Sequence, residues 1–408
     1  MKLDRSAPAV FAIGLASGLL LAAALAALAQ APAAPRVPAP MDELRMFAEA
    51  FGAIKSNYVE PVDDKKAIAN CVSGMVSGLD GRSEFYDAEA FRELQVSTPT
   101  GGVGLELSMD YGLAKVVSAI EGAPASRADL RSGDVLVRID DQPLKGQTLS
   151  GVVKLRRGKP GTEVRVSVLR EGERSPREIV LKRELIRVNS VRVSLLKDGL
   201  VYARVSSFVE AVPAKFAEEL ARLYREQPAP RGVVLDLRNN PGGLLSSAVA
   251  LSAAFLPEGA TIGTTEGRIP ESKRRFAADA KDFGGRGERD FRSALPAEVR
   301  NAPIAVLVNR GSAAGSEFLA GALQDHKRAV VVGEKTYGRG SVQTIFPFSE
   351  GRALKLTTAY WHRPNGARIE GAGVAPDVAV DGASAAPLEV PDPARDAPLA
   401  RAVAALTR

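Results

Sequence analysis

Apolar residues run almost unbroken from position 10 to position 29, behind Lys2 and Arg5. A short basic region, an apolar stretch and the small-x-small set Ala27–Leu28–Ala29 before Gln30 read as an export signal over residues 1–29. About 20 apolar residues also suffice to cross a bilayer, so an uncleaved signal anchor stays open, and with it the only membrane contact the sequence suggests. Either form places the body of the chain outside the cytoplasm, in the periplasm or on the outer face of the inner membrane. Residues 30–40 are dominated by Ala and Pro and form a linker with no fold of their own.

Beyond the linker the periodicity changes three times. Over 41–96 it is helical: Leu44, Phe47, Phe51 and Ile54 recur at helical spacing, and 67–79 gives a second amphipathic stretch. Residues 79–86 break that pattern with a turn, and 89–94 add a short helix. Over 97–184 the pattern shifts to short β-branched runs punctuated by glycine, which predicts a small β-rich domain. From 185 to 380 strands and helices alternate, with strands at 201–205 and 232–237 around an amphipathic helix at 213–225. That alternation predicts an α/β core with a central sheet. The charged, glycine-bearing stretch 276–291 reads as a surface loop. Residues 381–408 read as a connector followed by a helix at 397–406, docked by its alanine and leucine face.

Composition narrows the chemistry. A chain of 408 residues with 45% hydrophobic content supports two or three buried cores. The net charge of +6 comes from 54 Lys+Arg against 48 Asp+Glu, with no basic run interleaved with aromatics, which argues against nucleic-acid binding. Cys71 is the only cysteine, which excludes an intrachain disulfide and a cysteine metal site; its helical context predicts a buried thiol. His326 and His362 are the only histidines, too few for a histidine metal cluster and unfavourable for a Ser-His-Asp triad. His326 reads as a residue at a helix C-terminus, where the dipole favours it. No cofactor and no metal are implied.

The motifs carry more. Gly101–Gly102–Val103–Gly104–Leu105, Gly122–Ala123–Pro124–Ala125, the run 130–136 and the strand 164–168 follow one another in the order of a PDZ domain, which they resemble. In that resemblance Gly102, Val103, Gly104 and Leu105 form the peptide-binding loop. Glycine-rich turns let backbone N–H groups converge on a terminal carboxylate, and the adjacent strand edge pairs with an extended peptide.

Further on, Asp236–Leu237–Arg238–Asn239–Asn240–Pro241–Gly242–Gly243, Asn309–Arg310–Gly311–Ser312–Ala313–Ala314–Gly315–Ser316–Glu317, Gly333–Glu334–Lys335–Thr336–Tyr337–Gly338–Arg339–Gly340, Pro364–Asn365–Gly366 and Gly373–Val374–Ala375–Pro376–Asp377 occur in sequence. Together they resemble the carboxy-terminal processing peptidases (tail-specific proteases), which cut with a serine-lysine dyad. The resemblance covers nearly everything after the linker. It implies a multidomain α/β protein: an N-terminal helical segment, an inserted PDZ domain, and a peptidase-like core of ClpP/crotonase type. It also implies that Gly242 and Gly243 supply oxyanion donors, that 314 is the nucleophile position and 339 the base position, and that Gln343 orients the base.

Two of the three working groups are missing. Alanine at 314 has no nucleophilic atom. Arginine at 339 carries donors only and keeps its proton at any working pH. The resemblance with these departures implies a catalytically degenerate member that binds protein C-termini or unfolded polypeptides. Such a member acts as an adaptor, a decoy, or a subunit modulating an active paralogue; oligomerisation stays open. The alternative is an active serine endopeptidase with a displaced pair, drawn from Ser312, Ser316 and Lys335. Relatives carry D-P-H-S where this chain has Asp80–Gly81–Arg82–Ser83, a further departure.

Overall fold

The computed structural model describes residues 39–95, 101–186, 189–197, 199–226, 230–283, 290–382, 387–388 and 390–407. The export segment, the linker up to 38, residues 97–100 of the glycine-punctuated region, 284–289 of the charged loop and 383–386 of the connector lie outside the described residues. The chain divides into a unit ending at Ala67 and a unit covering Ile68–Arg408. In the first, helix α1 (Met41–Asn57) stacks Phe47 on Phe51 with ring centroids 6.3 Å apart, as the helical spacing anticipates. Helix α2 (Asp64–Ser77) follows.

At 79–86 the expected turn is present, but it leads into a strand that local pattern did not reveal. Asp80 Oδ1 accepts from the Arg82 and Ser83 N–H groups at 2.8 and 2.6 Å, closing the turn. Strand β1 (Glu84–Tyr86) then pairs antiparallel with a strand at the far end of the chain, Glu84 opposite Lys355. Helix α3 (Ala88–Gln95) completes this region. Cys71 is exposed rather than buried, because it falls on the outward side of α2.

The β-rich domain has strands β2 (Leu105–Asp110), β3 (Leu113–Ala119), β4 (Val135–Ile139), β5 (Glu163–Leu169) and β6 (Arg177–Lys182) in the order β2-β3-β4-β5-β6. Leu105, Val116 and Val166 of these strands, with Val103 of the loop before β2, close on Val152 of helix α4 (Leu149–Arg156). Thr148 caps α4, accepting from the Gly151 N–H at 3.1 Å. Strand β2 is an edge of this sheet.

The core is built on strands β7 (Val191–Leu195), β8 (Val201–Val205) and β9 (Val233–Asp236), followed after an antiparallel pair, β10 (Thr261–Gly267) and β11 (Arg274–Ala277), by β12 (Ile304–Val308) and β13 (Ala329–Gly333). The order is β13-β12-β9-β8-β7, parallel except for β7. These strands are covered on both faces, which is why they read as continuous apolar runs. Val233, Leu235, Ile304 and Val306 face helices α5 (Val212–Glu226), α6 (Leu245–Ala253) and α7 (Gly315–Asp325). Val234, Ala305 and Leu307 face Leu399 and Ala402. Each fully buried Phe or Leu here is worth roughly 1.5–3 kcal/mol.

Strands β14 (Ser341–Pro347) and β15 (Ala353–His362) form a hairpin, and β15 also bonds β1 and β10. Strand β16 (Val378–Ala379) extends the core sheet beside β13. Helix α8 (Ala397–Leu406) docks by its alanine and leucine face, as its pattern anticipates. Its N-cap Asp396 accepts from the Leu399 N–H at 3.1 Å and receives Arg238 at 3.0 and 2.8 Å.

Arg238 also grips the buried Asp236, within 2.6 Å, and Arg204 donates to the Asp236 carbonyl at 3.0 Å. Burial alone would raise the Asp236 carboxyl, but Arg238 and Arg204 beside it hold it below its ordinary value. This network fixes the end of β9 immediately before Pro241–Gly242–Gly243.

Candidate active site

Strand β12 ends at Val308, and the chain turns through 309–314 into α7. Ala314 sits at the corner with φ 50° and ψ −109°, outside the left-handed basin that non-glycine residues tolerate best. Such a backbone costs of order 1–3 kcal/mol and persists only where its surroundings over-determine it. The surroundings are visible. Ala313 N–H donates to the Asn240 carbonyl at 2.9 Å, and the Ala314 N–H donates to Glu317 Oε2 at 2.9 Å. The turn therefore keeps the sharp strand-to-helix shape that would present a nucleophile, with a methyl group at its tip.

This strain makes a direct prediction. Ala314→Gly removes it at the cost of a more flexible unfolded chain, worth about 0.4–1 kcal/mol. The variant is expected to gain about 1 kcal/mol in urea unfolding. A loss of stability would show that the Ala314 backbone is unstrained.

The two neighbouring serines are structural. Ser312 is fully buried; its hydroxyl donates to the Leu237 carbonyl at 2.8 Å and accepts from the Asn309 N–H at 3.0 Å. Ser316 is fully buried and donates to the Asn240 carbonyl at 2.9 Å. Lys335 is exposed and lines a different cleft, of about 970 Å³. Among the described residues no lysine bonds a serine hydroxyl at this turn, so Ser312, Ser316 and Lys335 are not brought together.

The oxyanion expectation needs one correction. The Gly242 N–H donates to Asn240 Oδ1 at 2.9 Å and is not free. Gly242 serves instead by its lack of a side chain: with φ 99°, a Cβ there would stand 2.8 Å from Ala314 Cβ. Among the amides that line the cleft, those of Gly243 and Gly315 find no acceptor among the described residues, the latter at the start of α7. Gly315 was not singled out in the sequence, although first-turn helix amides are unpaired by construction.

The base loop is tied to the nucleophile turn by Glu317. This fully buried carboxylate accepts from Thr336 Oγ1 at 2.5 Å, Gly338 N–H at 2.6 Å, Arg339 N–H at 2.8 Å and the Ala314 N–H. Burial raises its pKa, and the four donors oppose that rise.

Arg339 thus lies across the cleft from Ala314, but its guanidinium turns to Glu106 on β2, Nη1 to Oε1 at 2.8 Å. Gln343 does not orient it. The Gln343 amide nitrogen donates to Ser341 at 2.8 Å and Thr357 at 3.3 Å, within the β14–β15 ribbon. Gly242, Gly243, Ala314, Gly315, Arg339 and Gln343 all line one cleft of about 460 Å³, whose apolar wall includes Leu245, Phe318 and Trp361.

Strand β2 reaches this cleft. Besides Glu106, Ser108 of β2 bonds the Tyr337 hydroxyl at 2.6 Å beside the larger cleft, and Ser118 of β3 donates to the Asn239 carbonyl at 2.7 Å. Gly81 explains one departure from the peptidase pattern: any Cβ at 81 would fall 1.9 Å from the Met109 carbonyl oxygen at the end of β2. In the loop before β2, the Val103 and Gly104 N–H groups find no acceptor among the described residues. Ile120 donates to the Gly104 carbonyl, which turns the Leu105 N–H toward the open edge. Gly102 is different. Its N–H and carbonyl are both taken by Glu184 at 2.9 Å, so it anchors the loop and offers a ligand nothing.

With this geometry in place, comparison with known proteins is direct. Residues 199–380 match the model of peptidase family S41, and residues 101–181 match that of the PDZ domain. A carboxy-terminal-processing protease of Bartonella bacilliformis is 36% identical over 369 residues, covering 90% of this chain and 81% of that protein. The chain belongs to the carboxy-terminal-processing protease family. A "Probable CtpA-like serine protease" of Staphylococcus aureus is 33% identical over 342 residues, 83% of this chain but 65% of that protein. Among solved structures, the photosystem II D1 C-terminal processing protease superposes with a TM-score of 0.68 at 28% identity, covering 83% of this chain and 93% of that one. The mixed α/β architecture, with a PDZ domain on an S41 core, is that of the family.

Proposed function

We propose that this protein captures the free C-termini of extended or unfolded polypeptides through Val103, Gly104 and Leu105 and the open edge of β2, and holds them without cutting. The observation that carries this reading is the pairing of an intact frame with the wrong atoms: a methyl group at Ala314 and a permanently protonated guanidinium at Arg339. Neither can begin acyl transfer, which needs a nucleophile and a base able to take its proton. The displaced-pair alternative lacks geometric support, since Ser312 and Ser316 spend their hydroxyls on buried carbonyls and Lys335 faces another cleft. The basic and apolar leader at 1–29 supports action in the periplasm or on the outer face of the inner membrane, as an adaptor or as a modulator of an active paralogue.

The test uses a short dye-labelled alanine–leucine peptide as free acid and as C-terminal amide. Fluorescence anisotropy is expected to show the acid bound at least about tenfold more tightly, as expected when charge-assisted bonds to the carboxylate are lost. Mass spectrometry after prolonged incubation is expected to return the peptide whole. Equal affinity for acid and amide would defeat the capture reading.

A further inference from the structure

The base position does more than lose a base. In a working dyad the residue across from the nucleophile must be neutral to accept a proton. Arg339 is cationic at every working pH, so it reverses the electrostatics of the cleft. Its Nη1 is engaged by Glu106, while Nη2 and Nε meet no acceptor among the described residues and are not sealed in the interior. Gly243 and Gly315 line the same cleft, their N–H groups likewise without an acceptor among the described residues, the second at the positive end of the helix α7 dipole. Apolar surface from Leu245, Phe318, Val342 and Trp361 closes the remainder. The core contributes one full charge to this lining, the Arg339 cation, beside the neutral polar side chains of Ser341 and Gln343. The one acidic group lining it is Glu106, contributed by the PDZ strand and already seated on the guanidinium.

From this we infer that the former catalytic cleft is a carboxylate receptor: it takes the free C-terminus of a peptide whose last side chain is apolar, with Arg339 and the Gly243 and Gly315 amides on the carboxylate. Ala314 contributes room, its methyl group being smaller than a hydroxymethyl at that corner. Glu106 is the internal occupant that an incoming carboxylate joins or displaces. The cleft volume of about 460 Å³ suits one or two residues of a peptide end. This receptor is separate from the loop at Val103–Gly104–Leu105 and stands or falls independently of it.

The molecule carries its own reporter. Trp361 is the only tryptophan in the chain and lines this cleft. Titrating the full-length protein with acetyl-alanyl-alanyl-leucine as the free acid is expected to change Trp361 emission saturably, and the amide to do so at least about tenfold more weakly. Arg339→Met is expected to weaken the acid response by a similar factor. Glu106→Gln removes the internal competitor and is expected to tighten it by about two- to fivefold, the worth of a partly exposed ion pair. Because the two variants move affinity in opposite directions, misfolding cannot imitate the pattern.

Equal responses to acid and amide, an unchanged response in Arg339→Met, or weaker binding in Glu106→Gln would each overturn the inference. Anisotropy of a dye-labelled form of the peptide separates the two sites. Binding that persists in Arg339→Met belongs to the PDZ loop; its absence there, with the wild-type Trp361 response intact, removes the loop reading and leaves this one standing.

Discussion

Glu317→Gln is expected to cost about 3 kcal/mol and to loosen the loop at 336–339, the largest stability loss from a single isosteric change near the cleft. The wild-type carboxylate, fully buried, collects three backbone N–H groups and one hydroxyl. A glutamine keeps the volume but presents an NH₂ to groups that are themselves donors. At least two of the four lose their acceptor, and each buried unsatisfied donor costs about 1–3 kcal/mol. Trp361 borders the same cleft as Arg339, so its emission in a urea titration reads the event locally. A loss below about 1 kcal/mol would mean that the carboxylate is not the clamp its geometry describes.

That clamp bears on ancestry as well as stability. Glu317 holds the nucleophile turn and the base loop in register although neither Ala314 nor Arg339 has chemistry to coordinate. The strained Ala314 corner is kept by the same bonds. The frame therefore holds its shape through packing and hydrogen bonds that do not depend on the side chains at 314 and 339.

Much of this was legible in the sequence. Alternating strands and helices gave the α/β core because each strand is buried on both faces. The glycine-rich segments gave the PDZ domain because their order is specific. Ala314 and Arg339 were placed by counting along the motifs of the family that the chain resembles, and both line the cleft.

What stayed hidden was long-range or a matter of which group takes which bond. Strand β1 is only three residues long and is made a strand by its partner near Lys355, which no local window contains. The Glu106–Arg339 pair joins two domains across 233 positions. Gln343 sits four residues after Arg339, but on a strand whose hydrogen-bonding neighbours belong to the hairpin, so proximity in sequence misled. Gly242 lost its assigned role to an interaction that is local: the Asn240 side chain folds back on the N–H two residues on, a habit of asparagine in turns. Cys71 was misread because a helical pattern does not say which face of α2 is covered.

The central claim is that the cleft has kept its frame and lost only its reacting atoms. The most direct measurement is cleavage of a peptide with a free apolar C-terminus by the wild type, by Ala314→Ser, and by Ala314→Ser with Arg339→Lys. A serine at 314 would sit on a corner already shaped for attack, and a lysine at 339 would supply a base that burial can bring into neutral form. The account predicts no turnover by the wild type or the single variant and measurable turnover by the double variant. Turnover by the wild type that is abolished by Ser312→Ala or Ser316→Ala would contradict it.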